Sequence, residues 1–233
     1  MNERVLVIGA TQGTGHQIVN LLLRDGYRVR ALARNETKTK EKLSSAVEIV
    51  VGDITKLSTL ASAMKDVDHI IFTAGVTKRP ASERLIIATE YEGVKNTLAA
   101  ARDVGFSGRF LYMTSIGVTK SSLGAILLNV VKGNTLKWRK LAEEEIRRSG
   151  FDYTIIRAGF LTNSSGGGRA IEVSQRDYPL AFKYRIARAD VAEVFVQALE
   201  HPSTSRTTFE VVWGKGTRRE RWDFLFGGLK PDA

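Results

Sequence analysis

With 233 residues, 43% of them hydrophobic, the chain is long enough to bury one sizeable core. It contains no cysteine, which excludes disulfides, thiolate metal sites and a cysteine nucleophile and suits the reducing cytoplasm expected as its location. The net charge of +10 is scattered except at Lys215, Arg218, Arg219 and Arg221, and no zinc-finger spacing, aromatic RNA-binding motif or basic zipper accompanies it, so nucleic acid is not an expected partner. A basic face beside a site for a polyanionic cofactor is the simpler account of the charge. No apolar run reaches the length of a membrane span, and no basic and apolar leader precedes the first strand, so neither a spanning helix nor a signal peptide is expected.

The first element is an apolar strand, Val5 to Ile8, followed by a turn crowded with Gly9, Gly13 and Gly15 and an amphipathic helix from about His16 to Arg24. A chain that reverses sharply, admits a phosphate to its backbone and seats a helix against the preceding strand needs glycine at such points. The free N–H groups and positive dipole of the first helical turn then face the anion. The spacing is G-x-x-x-G-x-G, not G-x-G-x-x-G, yet its place between first strand and first helix makes Gly9, Thr11, Gln12, Gly13, Thr14 and Gly15 candidate contacts of a dinucleotide. A second strand runs over about Arg28 to Ala33. At its end, about twenty residues past the glycines, an NAD site would place an acid on the ribose hydroxyls. Arg34 stands there. A guanidinium cannot accept a hydroxyl's hydrogen bond but pairs with a 2′-phosphate, so the expected cofactor is NADP(H); Lys38 and Lys40 beyond it fit a solvated basic loop.

Strands and helices then alternate as in a doubly wound sheet. Strands are predicted at Ala46–Val51, Asp68–Thr73, Arg109–Thr114 and Asp152–Arg157, with a long helix between about Glu83 and Val104. Before the sixth strand, Glu143 with Arg147 and Glu144 with Arg148 have i, i+4 spacing, which predicts an exposed helix face with weak ion pairs. RADVAEVFVQALE reads as a helix stopped by Pro202, and TTFEVVWG as a last strand. Gly166 to Gly168 read as a mobile loop over a ligand cleft, and the apolar run Leu123 to Val131 as core, lid or partner surface. His69 reads as a core or edge histidine. His16 opens the first helix beside the phosphate turn, as a cofactor contact or a solvent-facing residue, His201 reads as a helix-end residue, and no metal-ligand spacing is present. The expected fold is an α/β, Rossmann-type doubly wound parallel sheet forming one domain over 1–233. About 158–186 and 213–233 are expected as substrate-side or peripheral elements, with a small C-terminal region covering the substrate.

Taken together, IGATQGTG, Arg34, VGDI (Val51 to Ile54), TAG (Thr73 to Gly75), YEGVKNTLAAA, MTSIG (Met113 to Gly117), SGFDYTIIRAG and ARADVAE resemble an atypical short-chain dehydrogenase/reductase over about four-fifths of the chain. The resemblance is to the NAD(P)H-binding group that includes NmrA-like regulators and the biliverdin-B and flavin reductases. It implies that Asp53 and Ile54 contact adenine and that Ala74 and Gly75 contact the ribose and pyrophosphate. Ser115 would then lie beside the nicotinamide, with Thr114 a further cofactor contact. Two departures are Gln12, where many atypical members have glycine, and Ala158, where a proline usually follows the sixth-strand arginine.

The larger departure concerns chemistry. Standard members of the resembled family pair a serine with Tyr-x-x-x-Lys, whose phenol exchanges the carbonyl proton. Here Ser115 matches the serine, but no tyrosine occurs between Tyr112 and Tyr153. Thr135 or Leu136 takes the tyrosine position, and Arg139 or Lys140 the lysine position; Lys140 is the candidate to hydrogen-bond the nicotinamide ribose. An acceptor that spreads incoming charge and takes its proton from water has no need of the phenol. The expected function is thus NADPH-dependent reduction of a small, apolar or conjugated acceptor such as a flavin, quinone or linear tetrapyrrole. The alternative is a non-catalytic NADP(H)-binding redox sensor or assembly factor.

Overall fold

The computed structural model describes residues 2–77, 80–120 and 122–233. The chain alternates between strands β1 (Arg4–Ile8), β2 (Arg28–Ala33), β3 (Glu48–Val51), β4 (His69–Phe72), β5 (Arg109–Ser115) and β6 (Asp152–Ala158), and helices α1 (Gly13–Arg24), α2 (Glu36–Lys40), α3 (Ala61–Met64), α4 (Glu83–Ile86), α5 (Glu92–Asp103), α6 (Leu123–Val131) and α7 (Thr135–Arg148). It continues through β7 (Phe160–Thr162), β8 (Ile171–Ser174), β9 (Arg185–Ala187), α8 (Arg188–Glu200), β10 (Thr207–Trp213) and α9 (Trp222–Phe226). The main sheet has the order β3-β2-β1-β4-β5-β6-β10-β8, parallel except for β8 against β10. The order reverses between β1 and β4, and this opens a ligand crevice beyond the C-terminal ends of the strands.

Side-chain alternation on β1 explains the two helical layers. Val5 and Val7 point to one face, where they pack with Ile18, Val19 and Leu22 of α1 and with Val191, Val194 and Phe195 of α8. Leu6 and Ile8 point to the other, against Met64 of α3, Val94 and Leu98 of α5 and Ile146 of α7. The strand is hydrophobic throughout because both faces are covered.

Three features depart from the sequence expectations. The long helix is interrupted: α4 and α5 are separated by a π-helical turn, Ile87–Tyr91, which carries Glu90 into the interior, where it is 1% exposed. Glu143 is not on an exposed face. It is fully buried and accepts from the guanidinium of Arg157 at 2.7 and 3.1 Å and from Arg147 at 3.1 Å, while Glu144 and Arg148 form the expected weak surface pair at 3.9 Å. The i, i+4 pattern could not reveal Arg157, a partner on β6. Third, the 158–186 region adds three unpredicted strands. β8 extends the main sheet, whereas β7 and β9 form a separate parallel pair.

The C-terminal 213–233 segment is peripheral. Its Asp232 accepts from Tyr153, Thr208 and Arg147, tying the tail near the starts of β6 and β10. The basic cluster there is largely spoken for, since Arg219 pairs with Asp190 and Glu193, Arg218 with Glu220 and Arg221 with Asp223. Removing one partner of a buried ion pair strands the other charge. Glu143→Ala is therefore expected to lower unfolding stability by about 3–5 kcal/mol, and Glu144→Ala by less than about 0.5 kcal/mol. Urea denaturation that found equal effects would return Glu143 to the surface.

Candidate functional site

The glycine turn joins β1 to α1 directly beneath the end of β4. Gly9 has φ +94°, and a Cβ there would lie 2.8 Å from both Ala74 N and Thr73 Oγ1. A Cβ on Gly15 would fall 2.2 Å from the Gly9 carbonyl oxygen, so the helix can approach the strand only with glycine at that point. Gly13, with φ +59°, opens α1, and its position faces space bounded by the Arg188 guanidinium, 3.5 Å from where a Cβ would sit. Gln12 makes no side-chain cap and Thr11 is half-buried. The Thr14 hydroxyl is buried at this turn without a hydrogen-bond partner. A buried orphan hydroxyl and an uncapped helix N-terminus fit a bound pyrophosphate, which would satisfy both.

The remaining expected cofactor contacts line the same edge. Arg34 is exposed just past β2 and pairs with no side chain among the described residues. By contrast, Lys40 is bound to Glu36. Asp53 is held in a turn by hydrogen bonds from the Thr55 N–H and hydroxyl, both 2.9 Å, and the Ile54 carbonyl accepts from Asn96 of α5 at 2.8 Å. Ala74 and Gly75 follow β4. On the neighbouring β5, Thr114 has a second buried, unpartnered hydroxyl, and half-buried Ser115 donates to the Ile116 carbonyl at 2.9 Å.

The loop containing Ala74 and Gly75 is anchored by buried charges, of which sequence reading named Arg139 but missed Glu90 and Lys132. Glu90 accepts the Val76 N–H at 3.0 Å, the Arg139 guanidinium at 2.8 and 3.3 Å, and a very short bond from Thr135. Lys132, also buried, donates to the Val76 carbonyl at 2.8 Å. Burial alone would raise the Glu90 carboxyl, but Arg139, Thr135 and the Val76 N–H hold it down at about 2. The nearby Tyr112 phenol is pushed well above its ordinary range by burial, which keeps it neutral. Arg139 reaches the Gly75 backbone, where an added Cβ would lie 3.0 Å from its guanidinium. Of the two pairs that the sequence offers for the missing tyrosine and lysine, Thr135 and Arg139 both bond to Glu90, Leu136 is buried beside them, and Lys140 is exposed. The π turn is the physical reason that a helix-period reading gave Glu90 no role.

Two more residues come from the substrate-side region. Arg188, at the start of α8, donates to Asn163 at 2.7 Å, and so links the glycine turn to the loop after β7. The Gly166–Gly168 loop is tied to α8, since the Gly167 N–H donates to Asp190 at 2.8 Å. His16 contacts the Lys42 carbonyl at 3.2 Å, His201 lies 3.7 Å from Asp223, and His69 is 3.5 Å from Glu3 with its pKa lowered by burial. Among the described residues no group of side chains could hold a metal.

The fold and this turn define a dinucleotide-binding Rossmann protein. The chain belongs to the NAD(P)H-binding family, whose profile its residues 9–202 match. It is 32% identical to sanguinarine reductase of Eschscholzia californica over 89% of this chain and 88% of that protein. It is 26% identical to the photosystem II assembly factor Ycf39 of Synechocystis, over 91% of this chain and 64% of that one. Its structure is similar to that of a putative NAD-dependent epimerase/dehydratase from Bacillus halodurans, with a TM-score of 0.79, 27% identity and coverage of 93% and 96% of the two chains. These likenesses place the protein among NAD(P)H-dependent oxidoreductases.

Glu90 also predicts an acid response. Its pKa falls from 4.5 to about 2 on folding, so its ionised contacts stabilise the fold fully above pH 4.5 and are lost as pH drops through about 2. Glu90→Gln is expected to flatten this part of the acid limb when stability is measured against pH. An unchanged slope would show that the carboxylate is not held by Arg139.

Proposed function

We propose that the protein is an NADPH-dependent reductase of a conjugated acceptor that uses no protein acid. The observation that carries this reading is the interior position of Thr135 and Arg139, with Arg139 engaged by Glu90. A threonine hydroxyl cannot serve as a phenol near neutral pH, and Arg139 is committed to a loop anchor. Residues in these states stabilise little charge on a simple ketone oxygen, whereas a flavin or quinone delocalises it and accepts a proton from water.

In this reading the bound NADPH supplies the hydride. The α1 N-terminus, the glycine turn and the Thr14 hydroxyl hold its pyrophosphate, with Arg188 as a cation beside it. Arg34 would pair with the 2′-phosphate. Asp53 and Ile54 border the adenine, and Ala74, Gly75 and Thr114 border the ribose and nicotinamide. Ser115 orients the acceptor or the nicotinamide amide. The relative named for sanguinarine reduction supports catalysis. The relative named as an assembly factor supports a second reading, in which the missing acid reflects a non-catalytic NADP(H) sensor.

Arg34→Glu is expected to weaken NADPH far more than NADH, by at least about 1.5–3 kcal/mol. Arg188→Ala should weaken both cofactors alike, because the pyrophosphate is common to them. Calorimetry giving the same NADPH-to-NADH ratio in the first variant as in wild type removes Arg34 from the 2′-phosphate. Ser115→Ala should cost the reaction only about one hydrogen bond, roughly 0.5–1.5 kcal/mol in kcat/KM, and leave NADPH affinity in place. Steady-state assays over flavin, quinone and simple ketone panels test the whole reading. Robust ketone reduction with no turnover of conjugated acceptors contradicts it, and no turnover with any acceptor beside tight NADPH binding selects the sensor.

A further inference from the structure

Helix α6 turns its apolar face outward. Leu123, Ile126, Leu127, Val130 and Val131 fall at i, i+3, i+4, i+7 and i+8, one stripe of a helix. All five are exposed, Leu123 to 87% and Val130 to 78%, while Ala125 and Leu128 alone of the apolar positions pack inward toward Ile116, Leu136 and Leu180. Phe182, 68% exposed, continues the patch at the N-terminal end of α6, where the Leu180 carbonyl accepts from Ser122 and lies against Gly124. Such a stripe is normally a core face, so its exposure marks an interaction surface.

The charge around it points to one kind of partner. No Asp or Glu occurs from Val104 to Ala142. Lys120, Lys183 and Arg185 are exposed at the Phe182 end, with the Arg185 guanidinium 5.3 Å from the Phe182 ring centre. The acids that approach α6 are engaged, Glu83 by Asn134 and Trp138, and Asp177 by Thr119 and Arg157. Stripe-to-stripe pairing of two copies would bring these cations together on chains that each carry +10, which disfavours self-association. An aliphatic ridge flanked by Lys and Arg matches the boundary between acyl chains and anionic headgroups, which needs no shape complementarity.

We propose that α6 docks this protein on an anionic lipid surface, with Leu123, Ile126, Leu127 and Val130 entering the acyl boundary and Lys120, Lys183 and Arg185 meeting the headgroups. The turn from Ser115 to Lys120 then faces the bilayer, where apolar conjugated acceptors dissolve; that consequence rests on the reductase reading, while the docking does not.

Cosedimentation of the full chain with vesicles of phosphatidylcholine, alone or with about one-third phosphatidylglycerol, tests the docking. The wild type is expected to pellet with the anionic vesicles at low salt, less at high salt, and weakly with phosphatidylcholine alone. Leu127→Glu with Val130→Glu should lower the partition coefficient about tenfold or more, with NADPH affinity and melting temperature unchanged because both side chains are exposed. Lys183→Glu with Arg185→Glu should reduce only the anionic component. Wild type that stays in the supernatant overturns the proposal, as does a Leu127→Glu, Val130→Glu variant that binds as wild type. A concentration-dependent dimer or a protein complex lost in that variant, without vesicle binding, also overturns it.

Discussion

The buried ion pair of Glu90 and Arg139 is the contact on which the site depends. Isolated buried charges are costly, and this pair is tolerated because every strong acceptor direction of the carboxylate is used, by Arg139, Thr135 and the Val76 N–H. The result is a rigid strut from α7 through the π turn to the loop after β4. That loop also closes over the glycine turn, since Thr73 donates to the Ile8 carbonyl at 3.0 Å and its hydroxyl occupies the space that side chains on Gly9 and Gly15 would need. The glycine turn, the loop after β4 and the inward face of α7 are thus one mechanical unit.

The same accounting explains the basic composition. Many guanidinium groups are internal struts: Arg157 with Glu143, Arg109 with Asp152, Arg30 with Glu48 and the carbonyls of Ala63 and Lys65, and Arg219 with Asp190. Arg34 differs in being exposed at the end of β2 with no side-chain partner among the described residues. Arg188 is intermediate, held only by a neutral amide, Asn163, and therefore open to exchange for a phosphate oxygen. Part of the positive charge is thus structural, and Arg34 and Arg188 are among the cations open to an anion.

Local patterns carried the first half of the chain. The glycine turn, β1, β2, α1 and Arg34 are encoded within short windows, so periodicity and turn chemistry locate them to within a few residues. The second half depends on partners distant in sequence. Glu143 looked solvated because its helix neighbours suggest a surface pair, and Arg157 becomes its partner only when β6 packs beneath α7. Glu90 was invisible because a π turn breaks the 3.6-residue period. β7, β8 and β9 are only three or four residues long, too short for alternation to show. The run Leu123 to Val131 was read correctly as apolar, but its burial could not be inferred, since an outward stripe and an inward one have the same spacing.

The claim that hydride transfer here proceeds without a protein acid is tested most directly by isotope effects on quinone reduction. With NADPH deuterated at the transferred position, single-turnover rates should fall, while replacing water by deuterium oxide leaves them nearly unchanged and the rate stays flat from about pH 6 to 8, because no side chain at Thr135 or Arg139 titrates there. A large solvent isotope effect, accompanied by a rate that declines as one group loses its proton across that range, would show a general acid in the site and contradict the account.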